Sequence, residues 1–350
     1  MTTAAPLKVD RWWASHYGMM VAFVYLVLAI SPSPPTLTAL LQTLALFTFA
    51  SLGIGTFGHL LNDLTDVRQD SRSGAYNVLS TKGPVARFAF LTGALVAGIA
   101  PWWWLPTTPV VAALVASEFL LLVIYSVRPI RLKERGMLGV IADALYAYVV
   151  PNAFAVLLFD KLGGGGTPSW MIAAILFWCF CFGLERIIHH QLLDATRDEK
   201  EGVQTFVVRR GWVNSFRFLS IFVTPTVGLA LVVLLAACAT VSPLVPIAFA
   251  VHAVLVLAVW SRLSTLHDPS LGRLPPINLY HVIAERLIAT FVWRWFALLS
   301  LIVLVIAHPQ YLPLIPLHLM LFPGGALWAL RHGIPHTWNL FRPGRAYGLH

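Results

Sequence analysis

Charge is what this sequence has least of. Asp, Glu, Lys and Arg make up 11% of its 350 residues, under half of the roughly 25% usual in soluble domains. Hydrophobic residues make up 58%, and together these figures exclude an ordinary water-soluble globule. Cysteine is nearly absent too. Cys179, Cys181 and Cys238 lie inside apolar runs, without the spacing of a metal site, and are read as packing residues. No small-residue cleavage site follows the first apolar run, which is preceded by Lys8, Asp10, Arg11, Trp12 and Trp13. That run is therefore expected to stay as a membrane span instead of being removed as a signal. Finally, the formal charge of +9 is not gathered into one basic face. It is scattered through short loops, so nucleic acid is not an expected partner.

What the sequence does have is a succession of apolar stretches, each near the roughly 20 residues a helix needs to cross the hydrocarbon core. They fall at 14–31, 37–61, 84–105, 107–126, 137–159, 168–193, 214–238, 243–262 and 284–307. The expected fold is thus an all-α integral membrane bundle of about nine transmembrane helices, occupying residues 1–308. Residues 309–350 form an apolar and basic tail broken by Pro and Gly, which could be a broken tenth segment. Trp102, Trp103 and Trp104 fit an interfacial aromatic belt.

The loops alternate in charge. One set carries Arg68, Arg72 and Lys82, then Arg128, Arg131, Lys133 and Arg135, then Arg197, Lys200, Arg209 and Arg210, then Arg273. The opposite loops offer essentially only Lys161. Positive residues near span ends tend to stay in the cytoplasm, so the basic side and the N-terminus are expected there.

Two acidic clusters sit at the basic ends of the second and sixth spans. The first reads Asn62-Asp63-Leu64-Thr65-Asp66-Val67-Arg68-Gln69-Asp70, and Asn62, Asp66 and Asp70 share a face if the helix continues. The second ends the sixth span, with Asp194 and Asp198 one turn apart. Stacked carboxylates repel each other, so a helix gains from them only when a cation lies between. Hard oxygen ligands on helix ends suit Mg²⁺, which takes one or two carboxylates and completes its shell with water and substrate phosphate. Solvated loop charge is the plainer reading, but the pattern occurs twice at equivalent ends. The loop Tyr125-Ser126-Val127-Arg128-Pro129-Ile130-Arg131-Leu132-Lys133-Glu134-Arg135-Gly136 lies on the same side and offers cations for a diphosphate. Lys133 and Arg72 are the preferred phosphate ligands, with Tyr125 and Arg131 beside them.

The first cluster, the Tyr125 to Gly136 stretch, and Asp194-x-x-x-Asp198 followed by Glu201-Gly202 and Thr205 occur in this order. Together they resemble the UbiA superfamily of intramembrane prenyltransferases over roughly residues 10 to 305. The resemblance implies a central cavity open toward lipid beneath a polar cap. It also implies that Asn62, Asp66, Asp70, Asp194 and Asp198 bind Mg²⁺–diphosphate, with Asp63 a weaker candidate. Asp66, Asp194 and Asp198 are the residues it makes catalytic. One departure stands out: many members that prenylate aromatic rings carry Arg-Pro after the first motif, whereas this chain reads Gly74-Ala75-Tyr76-Asn77-Val78-Leu79. Asn77 or Lys82 could serve that position.

Other ionisable groups lie within the apolar runs, among them His59, Asp143, Glu185, Arg186, His189 and His190, with the polar Asn152. Adjacent Glu185 and Arg186 should point apart and meet other helices rather than each other. The histidines read as bundle residues, with a base role for His189 or His190 the lesser possibility. The expected activity is Mg²⁺-dependent ionisation of an isoprenyl diphosphate and transfer of the prenyl group to a lipophilic acceptor, an aromatic ring being one candidate. A terpene cyclase would share the first step but need no acceptor. A membrane transporter would carry its acids nearer the midplane, often within an internal repeat, and no such repeat is visible here.

Overall fold

Threonine, proline and glycine set where the helices start. In the computed structural model, which describes residues 16–73, 76–265 and 280–324, Thr36 Oγ1 accepts a hydrogen bond from the Ala39 amide at 3.2 Å, where a long helix begins. The side chains of Arg68, Arg72, Ser73 and residues 262–265 lie outside that description. Thr108 likewise caps the helix that starts at Pro109, accepting from the Val111 amide at 3.3 Å. Proline in the first turn removes only an amide that a helix start leaves unbonded.

The helices in order are α1 (Gly18–Ala29), α2 (Leu37–Ser73), α3 (Pro84–Ile99), α4 (Pro109–Ser126), α5 (Met137–Ala144) and α6 (Val150–Leu162). A π-helical turn, Leu145–Val149, joins α5 to α6 into one span. Then come α7 (Ser169–Glu201), α8 (Phe206–Arg210), α9 (Trp212–Phe218), α10 (Thr224–Val241), α11 (Leu244–Thr265), α12 (Ala297–Ala307) and α13 (Leu314–Leu321). Among the described residues, eight continuous stretches are long and apolar enough to cross a bilayer: Leu37–Val67, Pro84–Trp103, Pro109–Ser126, Met137–Leu162, Ser169–Glu201, Trp212–Val241, Leu244–Ser261 and His281–Ala307. They match the second to ninth expected spans. The first expected span is represented by α1, at 12 residues shorter than a crossing helix, with residues 14–15 outside the description. Of the tail, α13 has 8 residues, too few to cross, and residues 325–350 lie outside the description.

All twelve residues of α1 are buried, enclosed chiefly by α6 and α12. Around this axis α2 packs on α3, α4 on α6, and α7 on α5 and α10. Only 6% of the Leu244–Ser261 stretch is buried, so α11 faces outward. Between lipid-embedded helices close packing replaces the hydrophobic effect as the driving force, and small residues permit it. A Cβ on Gly53 of α2 would lie 2.2 Å from the Gly98 nitrogen of α3, so these backbones meet where neither residue has a side chain. Phe47 stacks edge-on against Trp102, Phe154 and Phe159 with centroids 5.4 to 6.4 Å away. Trp102 therefore turns into the bundle, its indole N–H on Gly98 O at 2.8 Å, while Trp103 and Trp104 are exposed as a belt would require.

Candidate active site

Length places the acidic motifs. At about 1.5 Å per residue, the 37 residues of α2 and the 33 of α7 exceed the hydrocarbon thickness of about 30 Å. Their C-terminal turns, which carry the two Asp clusters, project beyond the apolar core of the bundle. The two ends meet: the Gln69 amide donates to Glu201 Oε2 at 3.3 Å. Helix α7 then stops because Gly202 adopts a left-handed conformation, φ 73°, with the Val203 amide returning to Asp198 O at 2.8 Å.

The loop after α4 lies over the first cluster. Lys133 Nζ donates to Asn62 Oδ1 at 2.7 Å and to Asp66 Oδ2 at 2.5 Å. Arg131 donates from Nη2 to Asp66 Oδ1 at 2.8 Å and from Nε to Glu134 Oε1 at 2.6 Å. Asp66 is thus buried between two cations. Burial pulls the Lys133 ammonium below the usual lysine range, with Asp66 opposing that pull. Three features hold this loop. Arg131 is in the left-handed region at φ 43°, uncommon for a residue with a side chain, and its Nη1 donates to Ser126 O at 3.3 Å. Gly139 lets the loop settle on α5, since a Cβ there would lie 2.5 Å from Leu132 O and 3.1 Å from Lys133 Cα. From the far side, Arg209 Nη2 donates to Glu134 O at 2.7 Å.

Asp70 accepts from Asn77 Nδ2 at 2.6 Å. Burial, joined by the charges of Asp66, Asp63 and Glu201, raises its carboxyl above the usual range, and the Asn77 bond only partly offsets this. Asn77 also donates to Asp63 O at 2.7 Å, and Asp63 Oδ2 accepts the Val78 amide at 3.2 Å. Asp63 and Asn77 therefore fasten the returning chain, with Asp63 turned away from the Lys133 face, while Lys82 is an exposed loop residue. On α7, Asp194 pairs with Arg197 at 2.7 Å and His190 at 3.3 Å, and buried Asp198 is hydrogen-bonded by Thr205. Tyr125 faces into the bundle: its ring meets Tyr146 at 4.9 Å, and Tyr146 donates to Asp143 Oδ2 at 2.5 Å. The Arg72 side chain lies outside the described residues.

Three contributors were given no site role by the sequence reading, although Glu201 stands in the second motif, Gln69 in the first cluster and Arg209 among the basic loop residues. Gln69, which also accepts from Arg131 at 3.4 Å, joins the two motifs. Glu201 receives that bridge, and Arg209 clamps the loop. Gln69 stands three residues after Asp66, on the same helix side, which is the spacing clue that was available.

A second polar group lies deeper. Contrary to expectation, Glu185 and Arg186 do pair, through Arg186 Nε and Glu185 Oε2. The long guanidinium side chain folds back because Nη1 must also reach Glu285 Oε1, at 2.7 Å, in the first turns of the His281–Ala307 span. Tyr280 donates to Glu185, and His189 Nδ1 lies 3.0 Å from Glu285, so each residue also meets another segment as expected. Ligand atoms of Glu185, His189 and Glu285 lie within 4.8 Å of one another. Arg186 already supplies the positive charge both carboxylates need, so no metal is assigned there.

The main site is another matter. Asp66, Asp70, Asp194, Asp198 and Glu201 lie on the two joined helix ends beside Lys133, Arg131 and Arg197, and Arg131 is shared with Glu134. Surplus negative charge on hard oxygen donors at two facing helix ends fits a divalent cation such as Mg²⁺.

Solved structures share this architecture. A UbiA homologue from Archaeoglobus fulgidus bound to DMAPP and Mg²⁺ aligns with a TM-score of 0.55 at 16% identity, over 89% of this chain and 99% of its own. The same homologue bound to GPP and Mg²⁺ aligns with a TM-score of 0.52, again at 16% identity over 89% and 99% of the two chains. Its Cd²⁺-bound form gives 0.54 at 16% identity, over 86% and 98%. No curated protein sequence matches the chain. The sequence profile of the UbiA prenyltransferase family matches residues 18–275, about three-quarters of the chain, and with this match the chain belongs to that family.

Proposed function

We propose that this protein ionises an isoprenyl diphosphate with Mg²⁺ and transfers the prenyl group to a lipophilic acceptor within the membrane. The observation that carries the reading is the convergence of Lys133 and Arg131 on Asp66, opposite the Asp194/Asp198 helix end. Both homologue complexes named above hold an isoprenyl diphosphate with Mg²⁺, which supports the same ligand class here.

Asn62, Asp66 and Asp70 on one helix and Asp194 and Asp198 on the other would hold the metal. When bound, Mg²⁺ supplies positive charge to offset what develops on the leaving diphosphate. Lys133 and Arg131, fixed by Asp66, Glu134 and Ser126, donate to the diphosphate oxygens as the allylic C–O bond breaks and its electron pair departs with the phosphate. Being held in place beforehand, they need little rearrangement at that moment. The acceptor's electron pair then forms the new carbon–carbon or carbon–heteroatom bond, and a proton leaves to a base. The apolar bundle keeps water from capturing the cation first. The basic end of the molecule is assigned to the cytoplasm, and residues 1–308 to the catalytic unit with 309–350 as an appended tail.

A terpene cyclase is the second reading. It is favoured by the replacement of Arg-Pro with a segment whose Asn77 is spent on Asp70 and Asp63. Incubating purified protein with Mg²⁺ and farnesyl or geranylgeranyl diphosphate, followed by mass spectrometry of the organic extract, separates the two. A cyclic hydrocarbon or alcohol formed without acceptor establishes the cyclase. Donor consumed only after addition of a membrane-lipid or quinone-precursor extract establishes the transferase, and the product mass identifies the acceptor. For the site itself, Asp66→Ala and Asp194→Ala should each remove Mg²⁺-dependent diphosphate release. Normal release by either variant would refute the two-motif site.

A further inference from the structure

Beyond the diphosphate site, a second cleft lies on the outside of the bundle at the same end. It encloses about 290 Å³ and is lined by Arg210, Asn214, Arg217, Phe218, Ile221 and Phe222. Its chemistry is graded from the end of α8 into α9 and the turn that follows it. Arg210, just before the break at Gly211, and Arg217 in α9 are exposed, and neither guanidinium forms an ion pair with a described residue. Deeper along the same face, one helical turn apart, come Phe218 and the largely exposed Ile221 and Phe222. Arg210 is held ready: its guanidinium lies over the rings of Phe206 at 5.7 Å and Phe218 at 5.0 Å. Stacking of this kind fixes a guanidinium while leaving its N–H groups free to bind an anion. Exposed Trp212, at the start of α9 and tied by its indole N–H to Leu192 O at 3.2 Å, marks the level of the membrane interface.

We propose that this cleft binds one anionic phospholipid, its phosphate on Arg210 and Arg217 and an acyl chain along Phe218, Ile221 and Phe222. Charge complementarity selects an anion. The apolar continuation of the same face into the membrane selects an anion bearing a hydrocarbon tail, and the exposure of Ile221 and Phe222 on the outer wall selects a lipid of the surrounding leaflet. Adjacent Arg209 turns the other way, onto Glu134 O. An occupied cleft therefore steadies the five-residue helix α8 that clamps the Lys133 loop.

The test is native mass spectrometry of the full-length protein in detergent, titrated with phosphatidylglycerol or phosphatidylcholine, without Mg²⁺ or substrate. The expected result is retention of phosphatidylglycerol in preference to phosphatidylcholine. Its affinity should fall on the order of fivefold for Arg210→Gln or Arg217→Gln and about 30-fold for both. Lys200→Gln, at the same end, should leave it unchanged. Equal retention of the two lipids, or undiminished phosphatidylglycerol binding by the double variant, overturns the proposal. So does competition by geranyl diphosphate at concentrations matching phosphatidylglycerol, which would make the cleft a docking place for the prenyl donor. Should the double Gln variant aggregate, wild-type protein decides: phosphatidylglycerol binding that does not weaken between 0.1 and 0.5 M NaCl, concentrations on the order of those that shorten screening from about 10 Å to a few ångströms, also overturns it. None of these measurements depends on the enzyme's reaction.

Discussion

At the scale of single residues, the site stores repulsion that a ligand would relieve. Asp70 shows it most directly, because its carboxyl is raised by burial and by three neighbouring acids. A carboxyl raised in the folded state stabilises the fold at pH below its unfolded value, and that contribution is lost as pH climbs through the folded one. Asp70→Asn, which keeps an acceptor for Asn77, should therefore raise the thermal midpoint of the ligand-free protein at neutral pH. The gain should vanish below the ordinary carboxylate range, while Mg²⁺-dependent turnover is lost. A midpoint lowered at neutral pH would contradict this account. The residue scale is also where the sequence was least legible. Spacing brought Asn62, Asp66 and Asp70 onto one face, and the loop after α4 onto the same end. It could not show that Asn77 would turn back to hold Asp70, because that contact depends on how a loop outside any periodic element closes. Nor could adjacency reveal the Glu185–Arg186 pair, since the deciding partner, Glu285, lies about a hundred residues further on.

At the scale of elements, apolar run length was a reliable guide, because a bilayer imposes nearly the same minimum on every crossing helix. What run length could not give is the excess of α2 and α7, since a helix continues past the lipid for reasons that lie in its polar turns. The loop over the first cluster depends on close approach to α5, which a single glycine allows. Gly139→Ala should push the Lys133 turn off its seat and lower turnover on the order of a hundredfold, the scale of a roughly 1 Å misplacement of a catalytic group. The fold should survive, because the displaced carbonyl lies at the edge of the bundle. Unchanged turnover in a steady-state assay with saturating Mg²⁺ would remove Gly139 from the positioning of the loop.

For the whole molecule, the alternation of basic and neutral loops predicts which end faces which compartment, and the protein's own cysteines make this measurable. Cys179, Cys181 and Cys238 are all buried, so a membrane-impermeant maleimide should find little background. In intact cells Lys161→Cys should be labelled from outside, whereas Lys200→Cys should react only after the membrane is opened. The reverse pattern would invert the assigned topology. The order of packing carries a different implication, for how the protein is made. Helix α1 is buried along its whole length, yet α12, one of the two helices that chiefly enclose it, follows it by more than 250 residues. During synthesis α1 must wait in lipid, or beside an insertion factor, until that late helix arrives. Biogenesis is thus tied to its final stages, and a chain halted before residue 280 would hold an innermost helix with one wall missing.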